Sequence, residues 1–227
     1  MKAMSDSLLV PAQKGFLTAV QALLNKGADV NEKDKQRRTA LMLASQNGHY
    51  AVVQALLFRS ADVNEKDTLG MTALTYACFT GHADIVKALL GKKAGVHASD
   101  GLSTALLSAA SRGYTTIIER LLSGGAKIEF SCGLEGTALV IAARNGHTEA
   151  VKLLLTKGAE VNAKTIYGKS ALMAAAERGD TVSVRSLLAK SADVNSRDQD
   201  GKNALNHALE NGHQKVVQLL RQAGAKI

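Results

Sequence analysis

The stretch whose residue types come nearest to a chemical motif is 163–170, AKTIYGKS. It matches the phosphate-binding loop GxxxxGK[ST] except that Ala163 replaces the first glycine. Such a loop works only where a preceding buried strand lets backbone amides converge on phosphate. The same slot is filled by EKDTLGMT at 65–72 and SRDQDGKN at 196–203, so Gly168 reads as a turn glycine and the match as coincidence. His49, His82, His147 and His213 form a group in composition, but each follows a glycine in a separate copy of one pattern. Metal–nitrogen bonds of about 2.0–2.1 Å require ligands far closer than that. His97 and His207 have no Cys or His at ligand spacing, so no metal and no cofactor is expected.

No catalytic set emerges either. A nucleophile needs a base within hydrogen-bond reach and a third group that orients it. Cys78 and His82 are four residues apart, but Gly81 ends the intervening helix and Cys78 stands at a packed, alanine-type position. Cys78 therefore reads as a small buried hydrophobe, and the chain as no enzyme. The run Lys33, Lys35, Arg37, Arg38 is interrupted by Asp34 and has no interleaved aromatic residue for base stacking. A solvated hairpin, a docking point for an acidic protein segment and a nucleic-acid contact all remain open for it.

Behind these residues lies one repeated unit, seen most plainly in 137–163, TALVIAARNGHTEAVKLLLTKGAEVNA. Two short apolar runs with helical spacing flank Asn145-Gly146-His147, and Lys157-Gly158-Ala159 stops the second. Helices this short are below the roughly 12–15 residues needed for stability alone in water, so the unit must lean on neighbours. The neighbours are present: the glycine recurs at Gly15, Gly48, Gly81, Gly113, Gly146, Gly179 and Gly212, spaced 33, 33, 32, 33, 33 and 33. Paired leucines recur in step, from Leu23-Leu24 to Leu219-Leu220. Self-similarity at this period signals a solenoid.

The pattern resembles the ankyrin repeat. It is carried by GADVN at 27–31, SADVN at 60–64 and 191–195, GAEVN at 158–162, and NGH at 47–49, 145–147 and 211–213. Seven in-register copies cover the chain, approximately 1–33, 34–66, 67–98, 99–131, 132–164, 165–197 and 198–227. The resemblance implies an all-α solenoid of stacked helix–turn–helix units with short β-hairpin loops, forming a single domain over 1–227. The terminal copies are expected to cap it.

Each hairpin loop is followed by Thr39, Thr72, Thr104, Thr137, Ser170 or Asn203, placed to cap the next helix. Ser5 or Asp6 is expected to cap the first helix; from Ser5, Pro11 would fall past the first turn and bend it. Arg37 stands where other loops carry glycine, which predicts a strained turn. The family's Thr-Pro-Leu-His opening is altered throughout: Pro becomes Ala, and His becomes Met42, Thr75, Leu107, Val140, Met173 or Asn206. That loss puts the rigidity of the hairpins in doubt. The fourth copy departs furthest, with a short loop at 98–103, Gly95-Val96-His97 and Tyr114, predicting a local change of twist.

Composition is consistent with this reading. Aromatic residues make up 4 % of the chain and tryptophan is absent, so Ala and Leu must fill the core. The net charge of +8 is spread evenly, with 13 basic and 9 acidic residues up to Gly113 and 15 and 11 beyond it. That evenness speaks for solubility rather than a single nucleic-acid groove. Cys78 and Cys132 lie two repeats apart, beyond the ~7 Å Cα limit of a disulfide. Free thiols, and no apolar run of about 18 residues, predict a cytoplasmic protein with no membrane contact, unless a signal peptide has been removed or the protein is a secreted effector.

The resemblance also implies where a partner docks: on hairpin tips and on the exposed side of each first helix. By register those positions include Leu69, Met71, Phe79, Arg112, Phe130, Leu134, Arg144, Ile166, Tyr167, Lys169 and Arg178, flanked by Lys33, Lys35, Arg38 and Lys66. Apolar side chains at loop tips have no hairpin-folding reason to be there, and exposed apolar clusters mark interaction sites. Phe58, on a second helix, is expected to pack at the back. The expected function is protein–protein interaction by a monomer. The competing reading is an acidic-polymer or nucleic-acid binder using distributed basic hairpin residues. In an animal cell, Asn31, Asn64, Asn162 and Asn195 would also match the family's hydroxylation positions.

Overall fold

The computed structural model describes residues 7–94 and 101–226, and the side chains of all of these except 101–103. The expectations placed on Ser5, Asp6, His97 and the loop around Gly95 and Val96 lie outside the described residues. The chain divides into two compact units, Met1–Ala105 with Ser123–Ala126, and Leu106–Leu122 with Lys127–Ile227.

In the first unit, short helices come in pairs: α1 (Leu9–Lys14) with α2 (Leu17–Asn25), α3 (Ala40–Gln46) with α4 (Tyr50–Phe58), and α5 (Ala73–Thr80) with α6 (Ala83–Gly91). The first helices α1, α3 and α5 pack in one row and the second helices α2, α4 and α6 in another. Next in the chain come α7 (Gly101–Arg112) and α8 (Thr115–Ser123). The second unit repeats the pairing, with α9 (Ala138–Asn145), α10 (Thr148–Thr156), α11 (Ala171–Arg178), α12 (Thr181–Leu188), α13 (Ala204–Glu210) and α14 (Gln214–Gln222). There α9, α11 and α13 form the first row and α10, α12 and α14 the second.

The first helix α3 packs against α1, α5 and α4, and α11 against α9, α13 and α12, and the composition of these helices follows from that. Every residue from Ala40 to Ser45, Ala138 to Ala143 and Ala171 to Ala176 is buried, and the many alanines allow close approach. Second helices bury one stripe only, such as Val52, Val53, Leu56 and Leu57 on α4 or Val216, Val217 and Leu220 on α14. Phe58 does not pack at the back as its helix position suggested. The stripe of α4 is already complete, and the Phe58 ring is 83 % exposed at the helix end.

The helix caps follow the sequence at four of six positions. Thr39, Thr72, Ser170 and Asn203 each accept a hydrogen bond from the backbone N–H three residues on. Three of these bonds are reciprocated: Met42 Sδ, Met173 Sδ and Asn206 Oδ1 accept from the backbone N–H of Thr39, Ser170 and Asn203. Residues that replace the expected histidine thus supply a return bond of their own. Val140 has no atom to return, and Thr137 Oγ1 is buried with no partner among the described residues. Thr104 is not a cap, because α7 begins at Gly101 and leaves it inside the helix. The first helix begins at Leu9, so Pro11 falls within its first turn, where a missing N–H breaks no helical bond. The expected bend has no cause.

Hairpin rigidity comes from elsewhere than the missing histidine. Asp34, Asp67 and Asp198 each receive two backbone N–H bonds across their own turn, on Oδ1. A side chain secures the other carboxylate oxygen: Arg38, Tyr76 and His207 respectively. Arg37 does adopt the left-handed conformation expected of it, with φ 61°. Turns are also stitched to their successors, since the Thr68 N–H donates to the Gln36 carbonyl and that of Gln199 to the Tyr167 carbonyl. Asn31 and Asn162 add a tie one repeat long, accepting from the N–H of Asp62 and Asp193.

Candidate functional site

The hairpins present the candidate site, and their side chains are what the turn bonding leaves over. In the first unit the turn of 67–71 closes through the Asp67 N–H on the Met71 carbonyl and the Gly70 N–H on the Asp67 carbonyl. This backbone engagement points Leu69 outward at 81 % exposure, while Met71 is half-buried. Phe79, near the end of α5, is 42 % exposed. Beneath them the Tyr76 hydroxyl donates to Asp67 Oδ2 at 2.6 Å. Burial and the adjacent Asp67 carboxylate together push the Tyr76 pKa up to about 12.

The cations of this unit differ in how far they are engaged. Lys33 pairs with Glu65 at 2.7 Å and Arg38 with Asp34 at 2.8 Å. Burial alone would raise the Asp34 carboxyl, but the hydrogen bonds and charge of Arg38 win and hold it below its ordinary value. Lys35 and Lys66 are exposed and make no ion pair with any described residue.

In the second unit, Leu134 and Ile166 are each 56 % exposed and Tyr167 is 54 % exposed. Phe130 is half-buried, its N–H turned back onto the Lys127 carbonyl. Arg112 is exposed at the end of α7. Arg144 is engaged by Glu135, and Lys169 by Glu177 at 2.6 Å. Arg178 also ties two repeats together, since its guanidinium donates to the Arg144 carbonyl and lies against Gly146. Structural ties of this kind leave less of the positive charge free than composition suggested.

The segment that resembled a phosphate loop is a hairpin turn. Its amides are already taken: Thr165 N–H by the Lys169 carbonyl, Gly168 N–H by the Thr165 carbonyl, and Lys169 N–H by Thr165 Oγ1. Gly168 is glycine because the backbone of the next hairpin passes close, with Asp198 Cα 3.0 Å from where a Cβ would stand. Four histidines act as clamps between repeats. The Nε2 of His49, His82, His147 and His213 lies 2.9, 3.3, 3.0 and 2.9 Å from the carbonyl oxygen of Gln13, Gln46, Ser111 and Glu177. Among the described residues no three His, Cys, Asp or Glu side chains converge as metal ligands would. Cys78 is buried, which pushes its thiol pKa far up, and Cys132 is exposed. No helix among the described residues is long and apolar enough to cross a membrane.

Sequence reasoning missed two features. One is the row of hairpin aspartates with their side-chain locks, although the nine-residue spacing of Asp67 to Tyr76 and Asp198 to His207 was readable. The other is the surface around Phe58, for which no periodic signal exists.

The family model for ankyrin repeats, three copies long, matches residues 8–100, 94–165 and 139–227. No curated protein matches the chain. Among solved structures, the crystal structure of the human ASB11 ankyrin repeat domain is similar, with a TM-score of 0.88 and 30 % sequence identity, covering 97 % of this chain and 98 % of that one.

Proposed function

This chain belongs to the ankyrin-repeat family, and from that premise we propose that it is a non-catalytic module that holds a partner protein on its hairpin tips and first helices. Ankyrin-repeat domains are generally protein-interaction modules, and the fold is typically a non-catalytic scaffold. The observation that carries the finer reading is the outward placement of Leu69, Ile166 and Tyr167 on hairpins whose turns close through their own backbone bonds, with Phe79 exposed near the end of α5 and Leu134 exposed on the hairpin before α9. Exposed apolar area on a rigid frame is what an interface uses, and Tyr is among the favoured energetic anchors. Lys33 and Arg38 are held by Glu65 and Asp34, while Lys35 and Lys66 leave positive charge on the first unit's hairpins and favour a partner with carboxylates near its apolar anchor. Phe130 contributes less than its register suggested, because it is half-buried.

The test is an affinity capture from source-cell extract with the wild type and with a variant carrying Leu69→Ala, Phe79→Ala, Leu134→Ala and Tyr167→Ala. A protein retained by the wild type and lost by a variant of unchanged helicity supports the reading. Equal capture by both removes the site.

A further inference from the structure

The second-helix face of the first unit carries a groove that the proposed hairpin site does not use. It lies wholly within that unit, has a volume of about 740 Å³, and is walled by α2, α4 and α6. Its apolar lining comes from Leu17 and Leu24 on α2, Ala51, Ala55, Leu57 and Phe58 on α4, and Ala88 on α6. Phe58 is the most exposed large apolar side chain among the described residues, at 83 %. Nothing in folding calls for a phenylalanine there, since Val52, Val53, Leu56 and Leu57 already bury the inner stripe of α4.

The charges at the groove are of one sign. Arg59 and Lys92 line it, its other polar lining residues are the amides Gln21, Asn25 and Gln54, and no carboxylate does. Lys26, Arg59 and Lys92 are the residues that close α2, α4 and α6, at one repeat position 33 residues apart. A cation at a helix C-terminus is favourable in itself, and that accounts for the position of the row. It does not account for the apolar groove beside it. Arg59 is held in place, donating to the Leu24 carbonyl at 3.1 Å and to Asn25 Oδ1. Lys92 makes no ion pair with any described residue.

From this charge complementarity we propose that the groove of α2, α4 and α6 docks an acidic amphipathic helix of a partner protein. Apolar side chains on successive turns of that helix lie along the groove, from Leu17 and Ala51 at one end to Leu24 and Phe58 at the other, and its carboxylates meet Arg59 and Lys92. A helix is the fitting shape because both walls offer ridges at spacings of three or four residues, Leu17–Gln21–Leu24 and Ala51–Ala55–Phe58.

The probe is a display library of peptides of about 16 residues, four to five turns, patterned as amphipathic helices with random charges on the polar face. Selection uses the full chain as bait, with Phe58→Asp as counter-bait. Enrichment of Glu- and Asp-rich sequences is expected, with the best peptide losing about tenfold or more in affinity on Phe58→Asp and on the Arg59→Glu, Lys92→Glu pair. The hairpin variant with Leu69, Phe79, Leu134 and Tyr167 changed to Ala should bind that peptide unchanged, which separates this site from the proposed partner surface. Enrichment of basic or uncharged sequences, or no enrichment, overturns the proposal. So does a dimer of the free chain that Phe58→Asp abolishes, because the occupant would then be a second copy.

Discussion

The ring of His82 occupies the place where a Cβ on Gly48 would stand: its Cε1 lies 2.6 Å from that position, while its Nε2 reaches the Gln46 carbonyl at 3.3 Å. Gly48 has φ 77°, so two separate constraints select glycine there. One is the left-handed backbone, which costs an L-residue about 1–2 kcal/mol. The other is the neighbouring repeat's imidazole.

Gly27 separates the two constraints, since it has φ 85° but nothing within 4 Å of its absent Cβ. Gly27→Ala should lower stability by about 1–2 kcal/mol, and Gly48→Ala by a further ~1–3 kcal/mol from overpacking. Measured against His82→Ala alone, Gly48→Ala in the same chain should cost less. Urea denaturation of the wild type and these four variants checks this, and equal losses for the two glycines would show that the ring yields freely.

Arg37 offers the reverse experiment. Its φ of 61° belongs to a position where Gly70, Gly168 and Gly201 stand in other hairpins, and the side chain is exposed. Arg37→Gly should raise stability by about 0.5–1 kcal/mol, the relief of left-handed strain less the added chain entropy of glycine. An unchanged or lower urea midpoint would mean that the turn carries no strain.

The repeat period, the helix pairs, the turn glycines and the left-handed turn at Arg37 were all legible in the sequence, because each follows from a local demand repeated along the chain. The exposure of Phe58 was not. Helical spacing tells which residues share a face, but whether a flank of α4 is covered depends on how far its neighbours extend. The engagement of Lys169 by Glu177 and of Arg144 by Glu135 was equally hidden, since the partners are eight or nine residues apart and meet only once the hairpin folds back on its helix. Asp180 is a third case. It replaces the clamp histidine of its repeat, and its carboxylate caps α12 while accepting from the Thr148 hydroxyl of the preceding repeat.

Asp180 also sets a pH dependence. Burial works to raise its pKa, but hydrogen bonds from the Ser183 hydroxyl and N–H, the Thr148 hydroxyl and the Val182 N–H outweigh it and hold the carboxyl below its ordinary value. A lowered folded-state pKa means that its contribution is complete above the unfolded value, about 4, and is lost as pH falls through and below it. Asp180→Ala should therefore lower stability by about 0.5–2 kcal/mol at pH 7, and the gap to wild type should narrow as the solution is acidified. Urea midpoints from pH 7 down to acid check this, and a gap that stays constant with pH would contradict it.

The most direct measurement for the account as a whole is the dissociation constant of a captured partner, by calorimetry at two salt concentrations, for the wild type and the fourfold hairpin variant. A partner gripped by apolar anchors should lose at least about tenfold in affinity in the variant, with only a modest effect of salt. An unchanged constant in a folded variant, or wild-type binding that collapses as salt is raised in the manner of polyanion contacts, would contradict it.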